Sequence, residues 1–288
     1  MIKRVIKKLL AKIIPPKIVK ANISVLSQSQ LLEGKKAIVT GGTSGIGFEI
    51  TRSFLNAGAT VLFTGRSQDR INGAIERIIE NNPIYKDRLF GLTMDINDID
   101  HMEDSIKKAV ELLGGSVDVL VNNAGIEGGN INNCTEEQFD AIINTNVKGA
   151  FFLSRVVARF MISKKIQGNI LNICSSSSIR PVNSAYGVSK WAMRGLTEGL
   201  ARMLAPHGIV VNGIAPGVTA TPMLRKDSTN DDIRHPRSLM ERYAIPEEIA
   251  SMAVIMVSGM CRMVVGDILY MTGGSGIIYN DDENYSFN

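Results

Sequence analysis

The sequence has few of the residues that build metal sites or disulfide frameworks. Its three cysteines, Cys134, Cys174 and Cys261, lie far apart, and its three histidines are likewise isolated. Without closely spaced cysteine or histidine pairs, neither a zinc site nor a disulfide framework is predicted, and we expect no metal. So few cysteines are typical of a reducing compartment, and we therefore expect a cytoplasmic protein.

Strong positive charge is missing from most of the chain. The net charge is +4, but seven lysines and arginines precede the first acidic residue, Glu33. Without those seven charges the remainder carries a net charge of −3. Because a nucleic-acid surface needs a basic stripe on the folded domain itself, no nucleic-acid partner is expected.

The N-terminal segment lacks a long uninterrupted apolar run. Residues 2–14 place apolar side chains at helical spacing with basic ones opposite, and Pro15 and Pro16 end the pattern. The lysines recur too often for a signal-peptide core or a membrane span. Two interpretations of this basic amphipathic helix stay open: peripheral contact with the anionic inner face of a membrane, or docking on the protein or a partner subunit. Residues 1–32 are assigned to this helix and a linker.

Beyond residue 32, short β-branched runs alternate with longer helical segments. There are seven such runs, from "AIVTGG" to "GDILYMTGG". This alternation predicts a parallel sheet, and apolar runs such as 117–121 predict helices on both of its faces. We expect one α/β domain over residues 33–276, a Rossmann-like, doubly wound, parallel seven-stranded sheet. A polar tail would occupy residues 277–288.

A glycine-rich stretch, "TGGTSGIG" at 40–47, follows the first predicted strand. Its glycines would let backbone N–H groups approach a pyrophosphate at the start of the next helix, where the helix dipole favours an anion. Such turns also occur where packing is tight. The preceding strand and the amphipathic segment that follows favour the nucleotide-binding interpretation.

The residues after the next two strands bear on the choice of cofactor. Gly65 stands where a carboxylate would bind the ribose of NAD, and Arg66 follows it. This pattern favours the 2′-phosphate of NADP(H), with NAD(H) possible, although a solvated loop arginine is the alternative. Asp95 is a candidate acceptor for the adenine amino group. It could equally belong to the N-cap region of the next helix, for which the candidates are Asn97, Asp98 and Asp100.

The stretch "CSSSSIRPVNSAYGVSK", residues 174–190, contains a tyrosine and a lysine four positions apart. Residues at this spacing share a helix face, which would put the Lys190 ammonium beside the Tyr186 phenol. A fixed positive charge there favours the ionised phenol and suits it to general acid–base catalysis. An accidental Tyr-x-x-x-Lys pair is the alternative.

In their order along the chain, these motifs resemble the classical short-chain dehydrogenase/reductase family from Gly34 to Gly274. "TGGTSGIG" is similar to its cofactor loop, "NNAG" to its strand-end motif and "YGVSK" to its active-site motif, with "NTNVKGAFF" and "NGIAPGVTATPM" at similar spacing. The resemblance implies an NADP(H)-dependent oxidoreductase that transfers hydride between nicotinamide and a small carbonyl or secondary-alcohol substrate. It also implies a homodimer or homotetramer.

The same resemblance implies catalytic roles for four residues. Tyr186 would be the general acid/base, and Lys190 would support its ionised form while binding the nicotinamide ribose. Asn146 would hold a water that relays protons to Lys190. Ser175, the first of the four serines, would orient the substrate oxygen, with the next two serines as alternatives.

The cofactor-binding residues implied by the resemblance come from several strand ends. They are Gly41, Thr43, Ser44, Gly45, Ile46, Gly47, Arg66, Ser67, Asp95, Ile96, Asn123, Ala124, Gly125, Tyr186, Lys190, Pro216, Gly217, Val218, Thr219 and Thr221. Many NADP-using members of the family carry a basic residue within the glycine loop, and this chain does not. Arg66 would therefore account for most of the preference for NADP(H) over NAD(H). Thr272 stands where the family often has an acid, which we expect to affect packing. The alternative function is a non-catalytic cofactor sensor or scaffold attached through the N-terminal helix.

Overall fold

The computed structural model describes residues 30–224, 226, 232–236 and 238–276. The predicted N-terminal helix over 2–14 and the predicted tail over 277–288 lie outside the described residues. The domain boundaries and the membrane contact therefore stay predictions. In the part of the chain that is described, no helix combines the length and apolar character needed to cross a membrane.

A single parallel sheet of seven strands forms the centre of the described chain, as predicted. The strands are β1 (Lys36–Thr40), β2 (Thr60–Gly65), β3 (Leu89–Thr93), β4 (Val119–Asn122), β5 (Asn169–Ile173), β6 (Val210–Pro216) and β7 (Ile268–Met271). Their order is β3-β2-β1-β4-β5-β6-β7. The direction of winding reverses between β1 and β4, and ligands bind beyond the carboxyl ends of parallel strands at such a reversal.

Helices cover both faces of this sheet, which confirms the doubly wound architecture. They are α1 (Gly45–Asn56), α2 (Gln68–Asn81), α3 (Met102–Leu112), α4 (Glu136–Ile143), α5 (Gly149–Ser163), α6 (Ala185–Leu204) and α7 (Pro246–Val257). Val39 and Phe63 belong to the core shared with α1, α2 and α7. Their strand neighbours Ile38 and Leu62 belong to the core shared with α3, α5 and α6. Successive side chains thus enter opposite layers, and both layers are apolar.

The start of α3 differs from the sequence prediction. His101 occupies the N-cap position, so the expectation that Asn97, Asp98 or Asp100 would cap the helix is wrong. Asp98 instead accepts a hydrogen bond from the His101 backbone N–H at 3.3 Å, and its carboxylate lies 2.9 Å from His101 Nδ1. This pairing raises the pKa of His101 and lowers the pKa of Asp98. The turn of the chain before α3 therefore uses Asp98 to hold the N-cap residue.

Candidate active site

A cavity of about 690 Å³ opens at the carboxyl ends of the central strands. All of the predicted site residues line it except Asn146 and Val218. It runs from the residues that follow β2 and β3 to those that follow β5 and β6. The fold thus brings together residues as far apart in the sequence as Gly41 and Leu224.

The glycine loop is held against the end of β4 by side-chain hydrogen bonds. Thr40 Oγ1 accepts from the backbone N–H groups of Asn123 and Ala124, each at 3.0 Å. Asn123 Nδ2 donates to the carbonyl oxygens of Thr40 at 2.8 Å and Gly41 at 3.2 Å. A β-carbon at Gly47 would overlap Asn123 Nδ2 and the Gly41 carbonyl. The "NNAG" segment therefore fixes the shape of the loop, and glycine is required at position 47.

The start of α1 suits an anionic ligand. Its N-cap, Ser44, makes no side-chain capping hydrogen bond, and the first turn carries no acidic residue. Gly45 has φ of +58°, a left-handed conformation that glycine adopts without strain. Free N–H groups and the helix dipole at this position suit a pyrophosphate, so this part of the site fits a dinucleotide.

Two guanidinium groups line the cavity beyond β2. Arg66 was predicted there, and Arg70, in the first turn of α2, was missed. Ser67 Oγ accepts from the Arg70 backbone N–H at 3.4 Å and so caps α2. Asp95 also lines this end, and its Oδ1 accepts from the Asn97 backbone N–H at 2.9 Å. The four-residue spacing of the two arginines is no helical signal, because Arg66 precedes the N-cap of α2 and the two residues do not share a helix.

Tyr186 and Lys190 share one face of α6, as their spacing predicted. Lys190 is buried, with 6% of its surface exposed, and its Nζ donates to the Ile173 carbonyl at 2.8 Å. The same Nζ lies 5.5 Å from the centre of the Tyr186 ring. The ammonium is thereby held at the end of β5, beside the Tyr186 ring.

Of the four consecutive serines, Ser175 is the one that lines the cavity. Its Oγ accepts from the Ser177 backbone N–H at 3.1 Å, at the start of a 3₁₀ turn over Ser176–Ile179. Ser178 is fully buried and donates to the Ser175 carbonyl at 2.7 Å. The turn directs the three later serines away from the cavity, while Ser175 and Tyr186 line the same space.

Asn146 lies behind the cavity wall, in a π-helical turn over Asn144–Lys148. Its Oδ1 accepts from the Ile126 N–H at 2.8 Å, and its Nδ2 donates to the Ile126 carbonyl at 2.9 Å and to Ser189 Oγ at 3.0 Å. Ser189 Oγ in turn donates to the Tyr186 carbonyl at 2.6 Å. These contacts connect the loop after β4 with the turn of α6 that carries Tyr186. The relay through a water stays a prediction.

The segment after β6 lies against the glycine loop and the end of β7. Thr221 Cγ2 lies 3.5 Å from the position of a β-carbon on Gly45. A β-carbon on Gly217 would come within 2.8 Å of Thr272 Cα, so the two chain segments pack closely there. The Val218 carbonyl accepts from the Ala244 N–H at 3.0 Å, away from the cavity lining.

The cavity is also lined by residues that were not named individually as predicted site residues. Besides Arg70 they are Thr64, Gly65, Met94, Asn97, Ile126, Glu127, Thr145, Ile173, Cys174, Pro222, Met223 and Leu224. Several follow a recognised motif directly, as Ile126 and Glu127 follow "NNAG". Extending the "NNAG" motif by two residues would have included Ile126 and Glu127.

A doubly wound sheet whose strand ends carry a glycine-rich loop and a tyrosine beside a buried lysine is typical of a nucleotide-binding oxidoreductase of the Rossmann type. The family model described as "short chain dehydrogenase" matches residues 35–232. The chain therefore belongs to the short-chain dehydrogenase/reductase family, as the motifs predicted.

Individual relatives match nearly the whole described domain. A 3alpha-hydroxysteroid dehydrogenase of Mediterraneibacter gnavus is 36% identical over 85% of this chain and 98% of its own length. A short chain dehydrogenase of Burkholderia cenocepacia, solved with NADP, is 31% identical with a TM-score of 0.75, over 85% of this chain and 99% of that one. A 3-ketoacyl-(acyl-carrier-protein) reductase of Brucella melitensis, solved with NADH, is 28% identical with a TM-score of 0.76, over 85% of this chain and 100% of that one. Proteins similar to this chain thus bind either nicotinamide cofactor.

Proposed function

We propose that this protein is an NADP(H)-dependent oxidoreductase that interconverts a carbonyl compound and a secondary alcohol, with Tyr186 as general acid/base. The observation that carries the proposal is that Ser175, Tyr186 and Lys190 line the same cavity as the uncapped start of α1. The alternative of a non-catalytic sensor or scaffold has no comparable support, since cofactor binding alone does not require an acid–base pair.

In this proposal a nicotinamide cofactor, when bound, would supply or accept the hydride, and the chain's own residues bind and protonate the substrate oxygen. Ser175 Oγ hydrogen-bonds that oxygen and orients it towards Tyr186. During reduction Tyr186 donates the phenolic proton to the oxygen as the carbonyl carbon receives the hydride, which yields the alcohol. In oxidation the phenolate takes the proton back.

Lys190 supports both directions of this proton transfer. Its Nζ gives one N–H to the Ile173 carbonyl at 2.8 Å, which fixes the ammonium. An ammonium has three donors, so two remain for the cofactor ribose and the proton pathway. Because the group is buried, its charge acts on the phenol with little screening by solvent.

The preference for NADP(H) rests on Arg66, and its removal provides a test. Arg66→Ala should weaken NADPH binding about tenfold and leave NADH binding within about twofold, since charge-assisted hydrogen bonds to a phosphate are lost. Dissociation constants for both cofactors, from nucleotide fluorescence, would measure this. Lys108→Ala, an exposed change on α3, is the matched control. Equal weakening of both cofactors would contradict the assignment of Arg66 to the 2′-phosphate.

Exposed apolar side chains on α4, α5 and α6 support the proposed homo-oligomer. They include Phe139, Phe151, Val188 and Trp191, each between 43% and 49% exposed. Exposed apolar groups of this size on a monomer favour association. Sedimentation of the full chain should give a dimer or tetramer, and a monomer at micromolar concentration would contradict this.

A further inference from the structure

Glu127 holds a defined place in the wall of the cavity. The preceding residue, Ile126, is fixed through both its N–H and its carbonyl by Asn146. The carbonyl of the following residue, Gly128, accepts from the Tyr186 N–H at 3.4 Å. The backbone at Glu127 is thus held next to the start of α6, and Glu127, an exposed residue, belongs to the cavity lining.

No cation in the described structure neutralises this carboxylate. None of the ion pairs among the described residues includes Glu127. The cations of the described cavity lining are Arg66, Arg70 and Lys190. Both arginines follow β2, which lies three strands, or about 14 Å, from β5 across the sheet. The Lys190 ammonium is buried against the Ile173 carbonyl.

The other missed lining residues are mostly uncharged. Met223 and Leu224 are 48% and 37% exposed where they line the cavity, and exposed apolar groups in a cleft are typical of ligand contacts. Burial raises the pKa of the Cys174 thiol, so this lining residue stays neutral near pH 7. A substrate carboxylate would therefore meet a like charge at Glu127, while Lys190, the described cation beside Tyr186, already donates to the Ile173 carbonyl.

We propose that Glu127 makes the site selective for uncharged carbonyl compounds and secondary alcohols with an apolar body, and against those that carry a carboxylate. This inference rests on the function proposed above, because it concerns the substrate of the same site.

A matched pair of ketones tests this selectivity. The wild-type protein should reduce methyl 4-oxopentanoate with a kcat/KM about tenfold above that for 4-oxopentanoate, since two like charges at close range repel. In Glu127→Gln this ratio should fall towards one, mainly through faster turnover of the carboxylate. Glu80→Gln, an exposed change on α2, is the control and should keep the wild-type ratio. Salt at 1 M should reduce the wild-type ratio, because it screens the repulsion.

A binding measurement separates this inference from the proposed function. Titration calorimetry with protein saturated in NADP⁺ would compare pentanamide with pentanoate, neither of which can be reduced. Tighter binding of the amide to the wild-type protein, lost in Glu127→Gln, supports the selectivity even if no ketone is turned over, in which case the proposed function alone fails. The inference would be overturned if Glu127→Gln left two ratios at their wild-type values. These are the ratio of kcat/KM for the ester and the acid, and the ratio of the affinities for the amide and the acid.

Discussion

Replacing Tyr186 with phenylalanine should lower kcat/KM for carbonyl reduction about a thousandfold and leave the dissociation constant for NADPH within about twofold. The change removes the hydroxyl that is the proposed proton donor but keeps the aromatic ring beside Lys190, whose Nζ lies 5.5 Å from the ring centre. General acid–base groups contribute about 10²- to 10⁴-fold to rate, and loss of a group that acts in the transition state lowers kcat more than it raises KM. Steady-state kinetics and NADPH fluorescence would measure the two effects separately.

A second tyrosine provides the matched control. Tyr85 lies outside the cavity lining, and its hydroxyl hydrogen-bonds Asn56 Oδ1. Tyr85→Phe removes the same atom from the protein and should leave kcat/KM within about twofold, although it lowers the stability slightly. Turnover retained by Tyr186→Phe would refute the assigned proton donor.

Gly47→Ala should lower the free energy of unfolding by about 2 kcal/mol and weaken NADPH binding at least tenfold. The added methyl group would overlap Asn123 Nδ2 and the Gly41 carbonyl, and one of these groups has to move. Asn123 Nδ2 donates to Thr40 and Gly41, so moving it breaks the hydrogen bonds that shape the cofactor loop. Urea denaturation and NADPH titration measure the two effects.

A glycine-to-alanine substitution at Gly73 is expected to stabilise the protein, whereas the same substitution at Gly47 destabilises it. This residue lies inside α2, where a β-carbon would meet no atom within 4 Å. Gly73→Ala should therefore raise the free energy of unfolding by about 0.5–1 kcal/mol, because alanine is the better helix former. Equal stability of Gly47→Ala and the wild-type protein would show that the loop tolerates a side chain and is not the rigid cradle described above.

The sheet was predictable because burial on both faces leaves a strong pattern in the sequence. Val119, Leu120 and Val121 are all buried, and their unbroken apolar run is what a central parallel strand requires. The position of the candidate site followed from the same pattern, because ligands bind beyond the carboxyl ends of parallel strands. Tyr186 and Lys190 were paired from helix geometry, and the structure places both on α6.

Other features depend on contacts between distant residues and leave no local pattern. Asn146 meets Ile126 and Ser189 only because the π-helical turn brings it behind the loop after β4. Glu127 has no periodicity or motif of its own, and its place in the cavity wall follows from the contacts of its neighbours. The N-cap of α3 was mispredicted because several polar residues compete there, and the fold of the preceding turn decides among them.

Deuterium labelling tests hydride transfer at this site most directly. NADPH carrying two deuterium atoms at C4 of the nicotinamide would be incubated in ordinary water with the ketone or aldehyde that is reduced fastest in a broad panel. The product alcohol should gain one deuterium on the carbon that bears the hydroxyl, as seen by mass spectrometry and NMR. Unlabelled NADPH in D₂O should place none on that carbon. No reduction of any panel member despite tight NADPH binding, or an alcohol without the cofactor's deuterium, would contradict the proposed reaction.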